Sequence, residues 1–296
     1  MSDLIRERTR TPRQRIAHAG EPLESNSSPA VAANSLRPGS SRSTVRRAVI
    51  VGASSGVGRA LAEELARSGS DLLLVATDRR DLAALAADLH LRFDRRVEIE
   101  LLDLNELTEQ PLEICLRWRA RLGGCDAVLI PAGYVDSDDD GLPTPDMIER
   151  NMRINMLSVV QLLTAAGRLF EKQGFGTLVA FSSIAAAAPR KKRIAYAASK
   201  AALEAYLQGL RHYFASLPSG AGGEVRVQTY ALGYVDSAMS YGQKLLFPVA
   251  APEAVARQVV RRLQADTGKV YYPGYWALIT TVLKNLPWAL FRRLKF

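Results

Sequence analysis

Three residues combine reactive type with useful spacing: Ser183, Tyr196 and Lys200, in the stretches Phe181-Ser-Ser183 and Ile194-Ala-Tyr-Ala-Ala-Ser-Lys200. Tyr196 and Lys200 are four apart, which on a helix sets them one turn from each other on one face. An ammonium beside a phenol favours the phenolate and draws the phenol pKa down toward working pH. Tyr196 is thereby a candidate proton donor to a carbonyl oxygen, and its conjugate base serves the reverse direction. Ser183 closes the apolar run Thr177-Leu-Val-Ala-Phe-Ser-Ser183, which reads as a buried strand, and its hydroxyl can bond the same oxygen. Tyr-x-x-x-Lys is common on helices by chance, so the group gains weight only from a second motif upstream.

That motif is Ala48-Val-Ile-Val-Gly52-Ala-Ser-Ser-Gly56-Val-Gly58, an apolar strand running through a glycine-rich turn into a helical pattern. Glycines at G-x-x-x-G-x-G spacing turn the chain tightly, admit a pyrophosphate against the backbone and let helix lie close on strand. The helix beginning here aims its free N–H groups and positive dipole end at the phosphates. Gly52, Ser54, Ser55, Gly56, Val57 and Gly58 are the candidate cofactor contacts of this turn.

The elements that would hold these groups alternate. Strands are expected at Ala48–Val51, Asp71–Ala76, Val97–Leu101, Ala127–Pro131, Thr177–Ser182, Arg226–Ala231 and Lys269–Tyr272. Helices are expected near 57–68, 79–91, 110–121, 146–172, 196–216 and 252–264. Continuous apolar strands indicate a parallel sheet covered on both faces. The predicted fold is a single α/β, doubly wound Rossmann-type domain with a parallel seven-stranded sheet. Its ligand crevice lies beyond the carboxyl ends of the strands, where Gly52, Asp103, Gly133, Ser183 and Gly233 all fall.

Together the two motifs resemble the short-chain dehydrogenase/reductase superfamily over roughly Arg46 to Pro273. The resemblance implies NAD or NADP as cofactor and Asn155, Ser183, Tyr196 and Lys200 as the catalytic set. Lys200 would also hold the nicotinamide ribose, and Asn155 a water in the proton relay. Asp103 would contact the adenine region, with Leu104, Ala132, Gly133, Gly233 and Val235 adding to the cofactor site. Two departures stand out: the family's Asn-Ala-Gly reads Pro131-Ala132-Gly133, and its Pro-Gly reads Leu232-Gly233. Both alter loops near the nicotinamide and remove no proton-transfer group. A homodimer or homotetramer is implied as well.

Cofactor choice is read in Val75-Ala-Thr-Asp-Arg-Arg80. An acid closing the second strand would bond a ribose 2′-hydroxyl and repel a 2′-phosphate. Ala76 and Thr77 stand there instead, with Asp78 late and Arg79 beside it, which leans toward NADP. Arginines that merely solvate a helix start are the plainer reading. Four consecutive cations, Arg190 to Arg193, lie between Ser183 and Tyr196. They read either as a solvated loop or as a clamp, through Arg190 and Arg193, for an anionic group on the substrate.

The segment 274–296 is rich in large apolar and aromatic groups with cations gathered late, as in an interfacial amphipathic helix. In that reading Trp276, Trp288 and Phe291 sit at the headgroup boundary, Arg292, Arg293 and Lys295 meet anionic lipid, and Pro287 kinks the helix. Packing on the core or across a subunit interface is the alternative. Gln173-Gly-Phe-Gly-Thr177, Leu283–Arg293 and the cationic loop also resemble the keto-reductase family of decaprenylphosphoryl-ribose 2′-epimerases. This likeness implies a lipid-linked (polyprenyl-phosphoryl) 2-keto-sugar as substrate at the membrane surface. A reductase of a soluble polyketide, steroid or fatty-acyl ketone keeps every catalytic residue and needs no tail. A non-enzymatic cofactor-binding scaffold would have lost members of the catalytic set.

Composition bounds the rest. The 296 residues allow one large α/β domain with appendages. Cys115 and Cys125 have neither metal-ligand spacing nor a disulfide framework, as expected of a reduced cytoplasmic protein without a metal site. No signal peptide or bilayer-spanning run is evident. The net charge of +9 lies in the two ends: residues 1–47 hold nine Arg against four acids, and residues 284–296 hold four cations and no acid. A neutral body excludes an evident nucleic-acid module. Residues 1–45 lack apolar periodicity and are expected to be a disordered basic arm, either inert or touching lipid or a partner.

Overall fold

In the computed structural model, residues 45–136, 141–218, 224–236 and 247–294 are described, so the predicted basic arm at 1–45 lies outside them except for Val45, which is buried. Seven strands are present: β1 (Arg47–Val51), β2 (Asp71–Ala76), β3 (Val97–Leu101), β4 (Ala127–Ile130), β5 (Phe175–Ser183), β6 (Glu224–Leu232) and β7 (Lys269–Tyr272). They form one sheet in the order β3-β2-β1-β4-β5-β6-β7, every neighbouring pair parallel. The order reverses between β1 and β4, and it is at such a switch point that a doubly wound sheet opens its crevice.

Strand periodicity divides the core. In β1 and β2, Val49, Val51, Leu73 and Val75 point to one face and Ala48, Ile50, Leu72 and Leu74 to the other, all fully buried. The first face is covered by α3 (Pro111–Leu122), α5 (Ser158–Gln173) and α6 (Ile194–Ala215) through Trp118, Leu163, Phe170 and Leu207. The second is covered by α1 (Gly56–Arg67), α2 (Arg79–Phe93) and α7 (Pro252–Arg262) through Leu61, Leu65, Leu82 and Val259.

Edge strand β3 departs from the expected continuous apolar run. It alternates Val-Glu-Ile-Glu-Leu, and Glu98 and Glu100 take Arg121 at 2.8 and 3.1 Å, with Arg117 on Glu100 at 2.9 Å. Charged side chains suit an edge because they discourage further strand pairing.

The helix expected at 146–172 is interrupted. α4 (Pro145–Met152) passes through a π-helical turn, Arg153–Leu157, into α5, and Asn155 sits inside that turn. Such turns concentrate at functional positions. The tail is not one kinked helix: α8 (Trp276–Lys284) ends before Pro287, and a short α9 (Trp288–Phe291) follows. Trp276, expected at a headgroup boundary, is only 3% exposed and packs against Phe247 and Tyr234 at 4.7 and 5.8 Å between rings. A helix with large apolar groups on opposite faces must bury one of them, and Trp276 faces the protein.

Candidate active site

A crevice of about 600 Å³ opens at the carboxyl ends of β1 to β6. Its floor is the glycine turn. Gly52 has φ +95°, and a Cβ there would lie 2.7 Å from the Ala132 backbone; one on Gly58 would lie 1.8 Å from the Gly52 carbonyl oxygen. The turn is therefore as tight as glycine permits, with α1 laid directly on β1. Ser55 caps α1 in extended conformation with no side-chain bond to it, so the first N–H groups of the helix face the crevice that Ser54, Ser55, Gly56 and Val57 line. A dinucleotide pyrophosphate fits this cradle.

Asp103 and Leu104 line the crevice beyond β3, where the Asp103 carboxylate accepts the Asn105 N–H at 2.8 Å. Asp78 and Arg79 do not line the crevice. Asp78 caps α2 by accepting the Asp81 N–H at 2.9 Å, because an acid two residues past the strand falls on a helix start. Ala76 and Thr77 form the wall instead. Ala132, Gly133, Gly233 and Val235 line the crevice beyond β4 and β6.

Ser183, Tyr196 and Lys200 meet in this space. Ser183 ends β5, and Tyr196 and Lys200 share one face of α6 with the Lys200 ammonium 5.9 Å from the phenol ring centre. Lys200 is buried, and its Nζ donates to the Phe181 carbonyl at 3.0 Å. Burial pushes its pKa down to about 8. Burial likewise pushes the Tyr196 phenol up, against a hydrogen bond with Ser183 and the charge of Arg193, which pull it down. The spacing argument assigned that downward pull to Lys200. In the structure the Ser183 hydrogen bond and then the Arg193 charge supply it, and burial of the phenol outweighs both.

Arg193 occupies the position before α6 with φ 59° and ψ 42°, left-handed for a bulky residue, three places ahead of Tyr196. Arg190 and Arg193 both line the mouth, joined by Lys192 and by Arg150, whose guanidinium lies 5.6 Å from the Tyr134 ring centre. Arg150, Tyr134 and Tyr234 were not anticipated. Their contribution depends on loops and on a helix face that no motif marks.

Asn155 stands behind the wall rather than in it. Its Oδ1 accepts the Tyr134 N–H at 2.7 Å and its Nδ2 donates to the Tyr134 carbonyl at 2.8 Å. Both side-chain groups are thus spent on bracing the loop after β4. A Cβ on Gly233 would lie 2.0 Å from the indole nitrogen of Trp276, whose N–H is buried without an acceptor. The tail thereby closes the loop that follows β6.

The family model for short chain dehydrogenase matches residues 46–244. An uncharacterized oxidoreductase of Mycobacterium tuberculosis is 28% identical over 254 residues, covering 84% of this chain and 97% of that protein. Hydroxysteroid 11-beta-dehydrogenase 1-like protein B of Xenopus laevis is 29% identical over 244 residues, 80% of this chain and 81% of that one. Among solved structures, a short-chain dehydrogenase from Sphingobium yanoikuyae in complex with NADPH superposes with a TM-score of 0.69 at 25% identity, over 85% of this chain and 97% of that one. A glycine cradle shaped for a pyrophosphate, a serine–tyrosine–lysine group across the crevice and a family match over most of the chain agree: this protein belongs to the short-chain dehydrogenase family and is an NAD(P)-dependent oxidoreductase.

Proposed function

We propose that the protein reduces a ketone on an amphiphilic, anionic substrate, with Tyr196 as the general acid. The observation that carries this reading is the meeting of Ser183, Tyr196 and Lys200 in the crevice floored by the Gly52–Gly58 turn. NAD(P)H, when bound, supplies the hydride. Ser183 donates to the substrate oxygen and holds it, and Tyr196 delivers the proton as the oxygen gains charge. Lys200 keeps its ammonium beside the phenol ring and is placed to grip the ribose. Asn155 fixes the loop after β4, against which a relay water would rest.

The wall supports NADPH over NADH. Ala76 and Thr77 stand where an acid would meet the ribose 2′-hydroxyl, and the nearby Asp78 carboxylate is engaged in capping α2. A 2′-phosphate thus meets no acid from the end of β2, and Arg79 stands exposed close by.

For the substrate, Arg150, Arg190, Lys192 and Arg193 at the mouth favour an anionic group next to the reacting carbonyl, as a polyprenyl-phosphoryl 2-keto-sugar carries. Such a substrate places the enzyme in the cytoplasm and in peripheral contact with a membrane, working as a homodimer or homotetramer. The second reading is a steroid or fatty-acyl ketone, the steroid favoured by similarity to the Xenopus hydroxysteroid dehydrogenase-like protein. Oxidation of NADPH and of NADH against polyprenyl-phosphoryl keto-sugars, steroid ketones and 3-oxoacyl thioesters separates them. Turnover confined to uncharged ketones would refute the anionic clamp, and no turnover of any ketone would refute the reductase assignment.

A further inference from the structure

We propose that the outer face of α8 and α9 docks the enzyme on an anionic lipid bilayer, beside the mouth of the crevice. The helices divide cleanly. Trp276 and Thr280, four apart, are buried against the body, and the Thr280 hydroxyl donates to the Trp276 carbonyl at 2.7 Å. The opposite stripe, Tyr275, Leu278 and Val282, is exposed, Leu278 to 72%. Spacing of three and four places these side chains on one face. α9 continues the apolar surface: Trp288 is also 72% exposed and stacks on Phe291 at 6.1 Å, with Leu290 and Leu294 beside them. Six exposed large apolar side chains within the 20 residues from Tyr275 to Leu294 mark a contact surface rather than scattered surface residues.

Charge identifies the occupant. From Thr267 to the last residue the chain holds five cations and no acid. Lys284, Arg292 and Arg293 are exposed, and among the described residues no ion pair joins any of them to an acid. A second protein copy would have to bury these like charges against themselves. An anionic headgroup layer neutralises them while taking up the indole and leucine side chains. No helix among the described residues is long and apolar enough to cross a membrane, so the contact is in the plane of the interface. The approach has a consequence for the site: Trp276, on the inner face of α8, packs edge-on against Tyr234, which lines the crevice. A lipid-anchored carbonyl could then enter from the bilayer without crossing water. This deepens the amphiphile reading above and rests on it only for that direction of entry.

Co-sedimentation of the full chain with vesicles, without cofactor or substrate, is the test, so its outcome is independent of the reductase assignment. Phosphatidylcholine vesicles containing phosphatidylglycerol should bind the protein, and pure phosphatidylcholine vesicles much less. Arg292→Gln with Arg293→Gln should weaken anionic binding about 25-fold, at about fivefold per lost cation. Leu278→Glu with Val282→Glu should weaken it at least tenfold, while melting temperature and turnover of a water-soluble ketone stay unchanged. Absence of vesicle binding would overturn the proposal, as would binding that neither double variant alters. A dimer by light scattering that Leu278→Glu dissociates would make the face a contact between copies and overturn it equally.

Discussion

Replacing Lys200 with methionine should stabilise the cofactor-free protein while inactivating it. The ammonium is buried with a pKa of about 8, against 10.5 for an unperturbed lysine. At about 1.4 kcal/mol per factor of ten, carrying that charge at pH 7 costs the folded state about 3 kcal/mol. Lys200→Met removes this cost and also the bond from Nζ to the Phe181 carbonyl, which returns about 1 kcal/mol. The net gain is about 2 kcal/mol, or about 4–8 °C in Tm for a domain of this size. The sign with pH follows from the lowered folded-state value. The penalty is complete below about pH 8 and fades as pH rises toward 10.5, because the folded protein has already lost the proton that the unfolded chain still holds. Thermal melts followed by circular dichroism should therefore show a clear gap between variant and wild type at neutral pH, closing to near zero at about pH 9.5. A variant less stable than wild type at pH 7, or a gap that ignores pH, would refute the reasoning.

Gly58→Ala puts a methyl group 1.8 Å from the Gly52 carbonyl, so α1 must lift off β1. Stability should fall by about 1–3 kcal/mol, and NADPH affinity measured by fluorescence titration should fall at least tenfold. Arg193→Gln removes a charge that pulls the Tyr196 phenol down, so the acidic limb of the pH profile for alcohol oxidation, where the phenolate is the base, should move to higher pH; an unmoved limb would contradict that role. Trp276→Ala should cost about 3–5 kcal/mol in chemical denaturation, because this tail residue belongs to the core. A loss under about 1 kcal/mol would return Trp276 to the surface.

Most of the sheet was legible because β1, β2, β4 and β5 are buried on both faces and so carry continuous apolar runs, Ala48–Val51, Leu72–Ala76, Ala127–Ile130 and Leu178–Phe181. β3 escaped that rule since it lies on an edge, where Glu98 and Glu100 answer to arginines on α3 instead of to a core. The cofactor turn was legible for a stricter reason: only glycine fits at Gly52 and Gly58, so the residue type reports the contact directly. Ser183, Tyr196 and Lys200 were found by helix spacing and strand ending. Their electrostatics were not, because burial of Lys200 and the left-handed turn that brings Arg193 to the phenol are tertiary facts. Asp78 shows the same limit at one-residue scale. A carboxylate placed two positions past a strand serves a helix cap, and no composition argument distinguishes that from a ribose contact. In the tail, apolar content alone could not tell the face of Trp276 from the face of Leu278.

The central claim is proton delivery by Tyr196, and single-turnover reduction of a ketone by Tyr196→Phe with NADPH already bound tests it most directly. The account predicts an NADPH affinity close to wild type and a hydride-transfer rate lower by about 10²–10⁴-fold. A rate within a few-fold of wild type would contradict it.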